Sequence, residues 1–237
     1  MKTILVTGAS RGLGKSLTEV FLKNNWKVIA SARDISKLDS HENLIPLELD
    51  LSSEDSLRQF IEEVKKLDLE IDLLINNAGY NAKDSGDNDY FQSTFRIEHF
   101  SAKAVDDTLL INALMPMQLI SGLLKVLSSE SVVLNISSWL GSITEKKAAG
   151  HYAYSGSKAL LNMFTRGFAL ELEKSDISKC QSTVALNPGW MQTDMGGAKA
   201  PSSPQDVAEK ILGLYDSKVL QDSNGKFLNV DGTEHLW

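Results

Sequence analysis

In the stretch "YSGSK", Tyr154 and Lys158 are one helical turn apart, so on a helix their side chains share a face. A free phenol titrates near pH 10 and is a poor proton donor or acceptor at neutrality. A neighbouring ammonium group favours the phenolate and brings the phenol toward useful acid–base chemistry. The pair reads as a proton-transfer couple, although the same spacing occurs on many solvated helices. Tyr152 is a second phenol nearby, but it lies six residues from Lys158 and off its helical face.

A second chemical stretch, "LVTGASRGLGKS", occupies residues 5–16. Its end, Gly14-Lys15-Ser16, belongs to a triphosphate loop, with Asp50 in the place of a magnesium-holding acid. That loop needs its first glycine five residues before Gly14, where this chain has Ala9. The other register is Thr7-Gly8-x-x-x-Gly12-x-Gly14, between an apolar strand and a helix. Glycines there let the backbone approach a pyrophosphate and let the helix lie close to the strand, with unpaired N–H groups at its start. A merely tight strand-to-helix bend has the same glycines.

At the end of the second strand stand Arg33 and Asp34, and Arg11 sits inside the glycine turn. Guanidinium groups there suit the 2'-phosphate of NADP(H), because the arginine fork pairs with phosphate oxygens. Asp34 offers two other readings: an exposed pair with Arg33, or an acceptor for a ribose hydroxyl.

These groups need elements to hold them. Apolar runs predict strands over residues 2–8, 26–32, 44–50, 71–79, 131–138, 180–189 and 225–232. Helical patterns run over residues 13–24, from Ser52 or Ser53 to about 67, and over 100–127, 152–174 and 203–215, and residues 81–89 read as the longest loop. Strands alternating with helices predict an α/β chain: a doubly wound Rossmann fold with a seven-stranded parallel sheet and helices on both faces, in one domain over 1–237. Ligands bind such a sheet beyond the carboxyl ends of its strands.

The glycine pattern, "NNAG" at 76–79, Asn112, Ser138, Tyr154 with Lys158 and "NPG" at 187–189 occur in the order and near the spacing of the short-chain dehydrogenases/reductases. On these motifs the chain resembles that family over almost its whole length. The stretches "NPGWMQTDMGG" and "NGKFLNVDG" look like the subgroup of sniffer-type carbonyl reductases and C-factor-like proteins. The resemblance implies an NADP(H)-dependent oxidoreductase in which Tyr154 exchanges a proton with the substrate oxygen and Ser138 hydrogen-bonds that oxygen. It implies that Lys158 binds the nicotinamide ribose and that Asn112 holds a water linked to Lys158. By the same resemblance Gly8, Ser10, Arg11, Gly12, Leu13 and Gly14 line the phosphates, Asp50 and Leu51 the adenine, and Asn77, Ala78 and Gly79 the adenosine ribose. Pro188, Gly189, Met191 and Thr193 would enclose the nicotinamide end, with Trp139, Trp190 and Tyr80 bordering the substrate and Phe91 either there or in the core.

Ser138 precedes Tyr154 by more than the usual family gap, with "EKKAAGH" (145–151) as a short insertion between them. The adjacent Ser137 is also a hydroxyl donor, and strand alternation turns only one of the two toward a pocket; alignment with the family selects Ser138. A regulatory or signalling protein that binds the dinucleotide without turnover is the alternative, against which the complete Ser-Tyr-Lys set stands. A sugar-nucleotide epimerase is disfavoured, since only 79 residues follow Lys158.

Composition sets the remaining bounds. Lysine and arginine total 24 against 31 acids, a net charge of −7 that gives no general attraction to nucleic acid or anionic lipid. Cys180 is the single cysteine, which rules out an internal disulfide and suits a reducing compartment. His41, His99, His151 and His235 lack zinc-ligand spacing, so no metal is expected. Apolar runs shorter than a membrane span and an immediate first strand predict a cytoplasmic protein without membrane attachment. The triplet Asn135-Ile136-Ser137 matches a glycosylation acceptor but ends an apolar strand. The expected partner is a small carbonyl or alcohol substrate. By the resemblance, residues 101–127 and 152–174 would form the interface of a homodimer or homotetramer; the alternative is a monomer in which their outer apolar residues pack under loops.

Overall fold

The computed structural model describes residues 1–237, the side chain of Asp84 excepted. Its strands are β1 (Thr3–Val6), β2 (Lys27–Ala32), β3 (Leu44–Glu48), β4 (Ile71–Asn76), β5 (Leu127–Ile136), β6 (Ser182–Asn187) and β7 (Phe227–Asn229). They form one sheet in the order β3-β2-β1-β4-β5-β6-β7, with every neighbouring pair parallel. The direction of winding reverses between β1 and β4, which opens a crevice at their carboxyl ends.

The helices are α1 (Gly12–Lys23), α2 (Glu54–Lys66), α3 (Asn88–Phe95), α4 (Ala102–Leu109), α5 (Met115–Leu123), α6 (Tyr152–Lys174) and α7 (Pro204–Asp216). Strand alternation divides the apolar residues between two layers. Ile4, Val6, Val28, Leu73, Leu134 and Val184 meet α1 and α7, while Leu5, Ile29, Leu74 and Val133 meet α2, α5 and α6. Because both faces are covered, the strands read as continuous apolar runs. Trp26 ties α1 to α7 by meeting Phe21 and Tyr215 edge-to-face, each at 5.0 Å.

The observed strands stop short of the apolar runs. Residues 77–79, 137–138 and 188–189, expected within strands, lie beyond the ends of β4, β5 and β6; the Asn77 and Ala78 amides bond Thr7 Oγ1, and the Gly189 amide turns back to Asn187 Oδ1. β5 begins earlier than expected and slips register between Ile71 and Leu73, where Ser128 Oγ donates to Asp72 Oδ1 at 2.9 Å. Residues 81–89 contain a 3₁₀ turn at Ala82–Ser85 and the start of α3, capped by Asp87 Oδ1 accepting from the Asp89 and Tyr90 amides. Ser53 is the cap of α2.

The helical run expected over 100–127 is α4 and α5 joined by a π-helical turn, Leu110–Leu114. By length and composition, Ala102–Val126 is able to cross a membrane, with a mean hydropathy of 1.5. In the fold its apolar side chains Met115, Leu119, Ile120 and Leu123 are core, packed with α2 and the sheet.

Gly14 and Gly213 lie on helices with opposite constraints. A Cβ at Gly14 would collide with the Gly8 carbonyl oxygen, whereas one at Gly213 meets nothing within 4 Å. Gly14→Ala is expected to lose at least about 2 kcal/mol in urea unfolding, and Gly213→Ala to gain about 0.5–1 kcal/mol from reduced unfolded-state freedom.

Candidate active site

The glycine turn is shaped by its neighbour, the segment after β4. Thr7 Oγ1 accepts from the Asn77 and Ala78 amides, each at 3.0 Å, and Asn77 Nδ2 donates to Thr7 O at 2.8 Å. Gly8 has φ +69°, and a Cβ on it would stand 2.9 Å from Ala78 Cα. Gly12, at φ +54°, opens α1, and no side chain caps that helix at Arg11. Positive φ at two glycines and uncapped amides in one turn give a concave, backbone-lined cradle, the form a pyrophosphate requires. Leu13 is buried beneath it and Ser10 is half-buried at its rim.

Arg33 is exposed at the end of β2. Asp34 does not pair with it: Oδ1 accepts from Ser36 N and Oγ, and Oδ2 lies 3.6 Å from Lys37 Nζ. The Ser36 hydrogen bonds hold the Asp34 carboxyl below its usual range. Arg11 Nη1 donates to Asp194 Oδ2 at 2.6 Å, which brings residues 190–197 to the glycine turn. Thr193 of the same segment has its Cγ2 3.3 Å from where a Cβ on Gly12 would be. Asp50 Oδ1 accepts from Ser52 N and Oγ, and Leu51 is buried beside it. A groove of about 270 Å³ runs between α1 and residues 37–41, sharing only Ala9 with the turn and lying apart from Tyr154.

The first turns of α6 carry the reactive pair. Lys158 Nζ lies 5.8 Å from the centre of the Tyr154 ring and donates to Ile136 O at 2.7 Å. Lys158 is 4% exposed, and burial lowers its pKa to about 8. Ser138, half-buried where β5 ends, caps a 3₁₀ turn (Trp139–Gly141), its Oγ accepting from Leu140 N at 3.2 Å. Gly141 closes that turn against α6, and a Cβ there would lie 2.8 Å from Lys158 Cβ. Ser137 points the other way: it is 2% exposed and its Oγ donates to Asn162 Oδ1 at 2.6 Å.

Asn112 sits in the π-helical turn, where its side-chain amide bonds protein partners. Oδ1 accepts from Tyr80 N at 2.7 Å, while Nδ2 donates to Tyr80 O at 2.9 Å and Ser157 Oγ at 3.0 Å. Ser157 Oγ in turn donates to Tyr154 O at 2.8 Å, so Asn112 joins the Tyr80 segment to α6. Phe91 packs on Phe95, and Phe95 on His151, forming one wall of a void of about 10 Å³ bounded by Tyr154.

After β6, Pro188 is buried and Gly189 turns the chain at φ +78°. Asn187 Oδ1 accepts from Trp139 N at 3.1 Å and Gly189 N at 3.2 Å, fixing the two exits from β5 and β6 together. Trp139 is 37% exposed; Trp190 is 53% exposed and donates Nε1–H to Gly196 O at 2.7 Å. Met191 pairs with Ser202 at the base of this segment. Among the described residues no cluster of acids, histidines and cysteine has the form of a metal site. Sequence reasoning passed over Asn162, Asn187 as a side chain, and Asp194. The first lies four residues beyond Lys158, a spacing that was available as a signal; the others depend on contacts far apart in sequence.

Because the folded lysine titrates near 8 and a free one near 10.5, the unfolded chain holds the extra proton between those values. Stability therefore rises with pH across that window, and the cost of burying the ammonium is complete below it. Lys158→Met removes this dependence. Its stability relative to the unsubstituted protein is expected to fall by about 2 kcal/mol between pH 7 and pH 9.5, as measured by urea unfolding.

The short chain dehydrogenase family matches residues 2–203. The C-signal protein of Myxococcus xanthus is 34% identical over 70% of this chain and 93% of its own. The carbonyl reductase Sniffer of D. melanogaster superposes with a TM-score of 0.86 and 29% identity, covering 100% of both chains. A carbonyl reductase from Pseudomonas aeruginosa PAO1, solved in complex with NADP, gives 0.78 and 25%, again over 100% of both. With a family match spanning most of the sequence and a likeness to solved reductases over its entire length, the chain belongs to the short-chain dehydrogenases/reductases.

Proposed function

We propose that the protein is an NADPH-dependent oxidoreductase that reduces a small carbonyl compound, an aldehyde, ketone or quinone, to its alcohol. The observation that carries this reading is Lys158: a buried ammonium group beneath the Tyr154 ring, on the helical face against which the Ser138 turn is pressed. When bound, the dinucleotide supplies a hydride to the carbonyl carbon. Tyr154 gives its phenolic proton to the carbonyl oxygen during reduction and takes one back during oxidation. The Ser138 hydroxyl donates a hydrogen bond to the same oxygen, stabilising charge as it develops there. Lys158 spends one N–H on Ile136 O and has two left, for the ribose hydroxyls and for the phenolate.

The backbone from Gly8 to Gly14 would hold the pyrophosphate, Asp50 and Leu51 the adenine, and Asn77, Ala78 and Gly79 the adenosine ribose. Pro188, Gly189, Met191 and Thr193 would enclose the nicotinamide end. Arg33, exposed and adjacent to the cradle, suits the 2'-phosphate; the Pseudomonas reductase with NADP supports that choice and Sniffer supports the carbonyl substrate. Trp139, Trp190 and Tyr80 would border the substrate with aromatic surface suited to apolar carbonyl compounds.

The likeness to C-signal favours a second reading, a dinucleotide-binding signalling protein with little turnover. The buried free thiol of Cys180 agrees with a cytoplasmic setting. Tyr152, Leu114 and Met163, exposed by 41%, 44% and 68%, suit assembly into a homodimer or homotetramer.

Titration of NADPH and NADH by tryptophan fluorescence, followed by a panel of carbonyl compounds at the absorbance of the reduced cofactor, separates the readings. Reduction is expected with NADPH, and binding without consumption of the cofactor selects the signalling role. Tyr154→Phe is expected to retain NADPH binding and lose at least about 10²-fold in kcat; activity within threefold of the unsubstituted protein removes Tyr154 as the proton donor. Arg33→Ala is expected to weaken NADPH binding selectively, and equal weakening of NADH would remove the 2'-phosphate assignment.

A further inference from the structure

We propose that Asn162 is the positioning residue of this site, its amide locking the strand end that bears Ser138 onto the helical face that bears Tyr154 and Lys158. This role rests on the reductase reading for its catalytic consequence but not for its structural one.

Tyr154, Lys158 and Asn162 follow one another at intervals of four along α6 and share a face. Each of the last two grips a different residue at the end of β5. Lys158 Nζ bonds Ile136 O, and Asn162 Oδ1 receives the Ser137 hydroxyl at 2.6 Å, with Asn162 3% and Ser137 2% exposed. Asn162 Nδ2 reaches Gly141 O at 3.4 Å, at the far end of the turn that begins with Ser138. One amide thus binds both sides of that turn. Ser137 and Ser138 point to opposite faces of the strand, so holding the Ser137 hydroxyl in the core fixes the direction in which the Ser138 hydroxyl leaves.

The side chain must supply an acceptor and a donor in a dry site. Aspartate would provide only the acceptor and bury a charge near Lys158, while leucine would leave the Ser137 hydroxyl unpaired. General registry of α6 on the sheet has a separate anchor: Asn135 Nδ2 donates to Thr165 Oγ1 at 2.9 Å, and Asn76 Nδ2 to Asn135 Oδ1 at 2.8 Å. Loss of Asn162 therefore frees the strand end locally, without releasing the helix.

The test compares Asn162→Ala, Ser138→Ala and the double substitution, with Ser137→Ala as the milder way to break the same bond should Asn162→Ala fail to fold. In hydrogen exchange on the protein without cofactor, Asn162→Ala or Ser137→Ala is expected to speed exchange of the Leu140, Gly141 and Ser142 amides at least about tenfold, leaving residues 132–136 protected. Unchanged exchange at those three amides overturns the clamp, whatever the activity of the protein. In NADPH-dependent reduction, Asn162→Ala is expected to lower kcat about tenfold with the NADPH Kd changed less than about twofold, since small misplacements of reacting groups cost rate more than binding. In the Ser138→Ala background the same change is expected to cost less than about twofold. An equal loss in both backgrounds overturns the positioning role. Absence of turnover in the unsubstituted protein refutes the reductase reading instead, and the exchange result then decides the clamp alone.

Discussion

The site depends on burying one ammonium group for which the described residues offer no ionic partner. Lys158 lies in the layer between α6 and the sheet, where water is excluded and its charge is costly. Its fixed compensation is a main-chain carbonyl at the end of β5, together with the face of the Tyr154 ring. That arrangement requires α6 to approach the strand end closely. Gly141 permits it, since any side chain there would strike the lysine backbone.

A similar economy shapes the other half of the crevice. The glycine turn is braced by side chains from the neighbouring strand exit: Thr7 holds two amides of the "NNAG" segment, and Asn77 returns a bond to Thr7 O. Gly8 and Gly14 are required because backbone, not solvent, occupies the space their side chains would need. A rigid cradle results whose inner surface is main chain, which suits a phosphate and excludes bulk. Asn112 performs the corresponding work between the Tyr80 segment and α6, using an interruption in helical geometry to turn its amide inward. Asparagines recur at these joints because each carries a donor and an acceptor on a short, uncharged side chain.

The strands were legible from their apolar runs because a sheet covered on both faces needs continuous burial. Their ends were not. The Asn77 and Ala78 amides bond Thr7 Oγ1, the Ser138 carbonyl accepts from Gly141 N, and the Gly189 amide turns back to Asn187 Oδ1, partners that the apolar runs alone do not mark. The break of the 100–127 helix at Leu110–Leu114 was likewise invisible, since the residues there are ordinary helix formers. Asp194 escaped notice because its partner, Arg11, is 183 residues away.

What the sequence by itself determined is the repertoire: alternating strands and helices, a glycine turn where a strand becomes a helix, and a phenol and an amine one turn apart. Those features are local, set by period and spacing. Only the tertiary structure decided which of two adjacent serines faces the crevice, that Arg11 reaches Asp194, and that the Asn112 amide is spent on Tyr80 and Ser157. Such choices turn on which buried donors and acceptors must find partners once the layers close, and those partners come from distant parts of the chain.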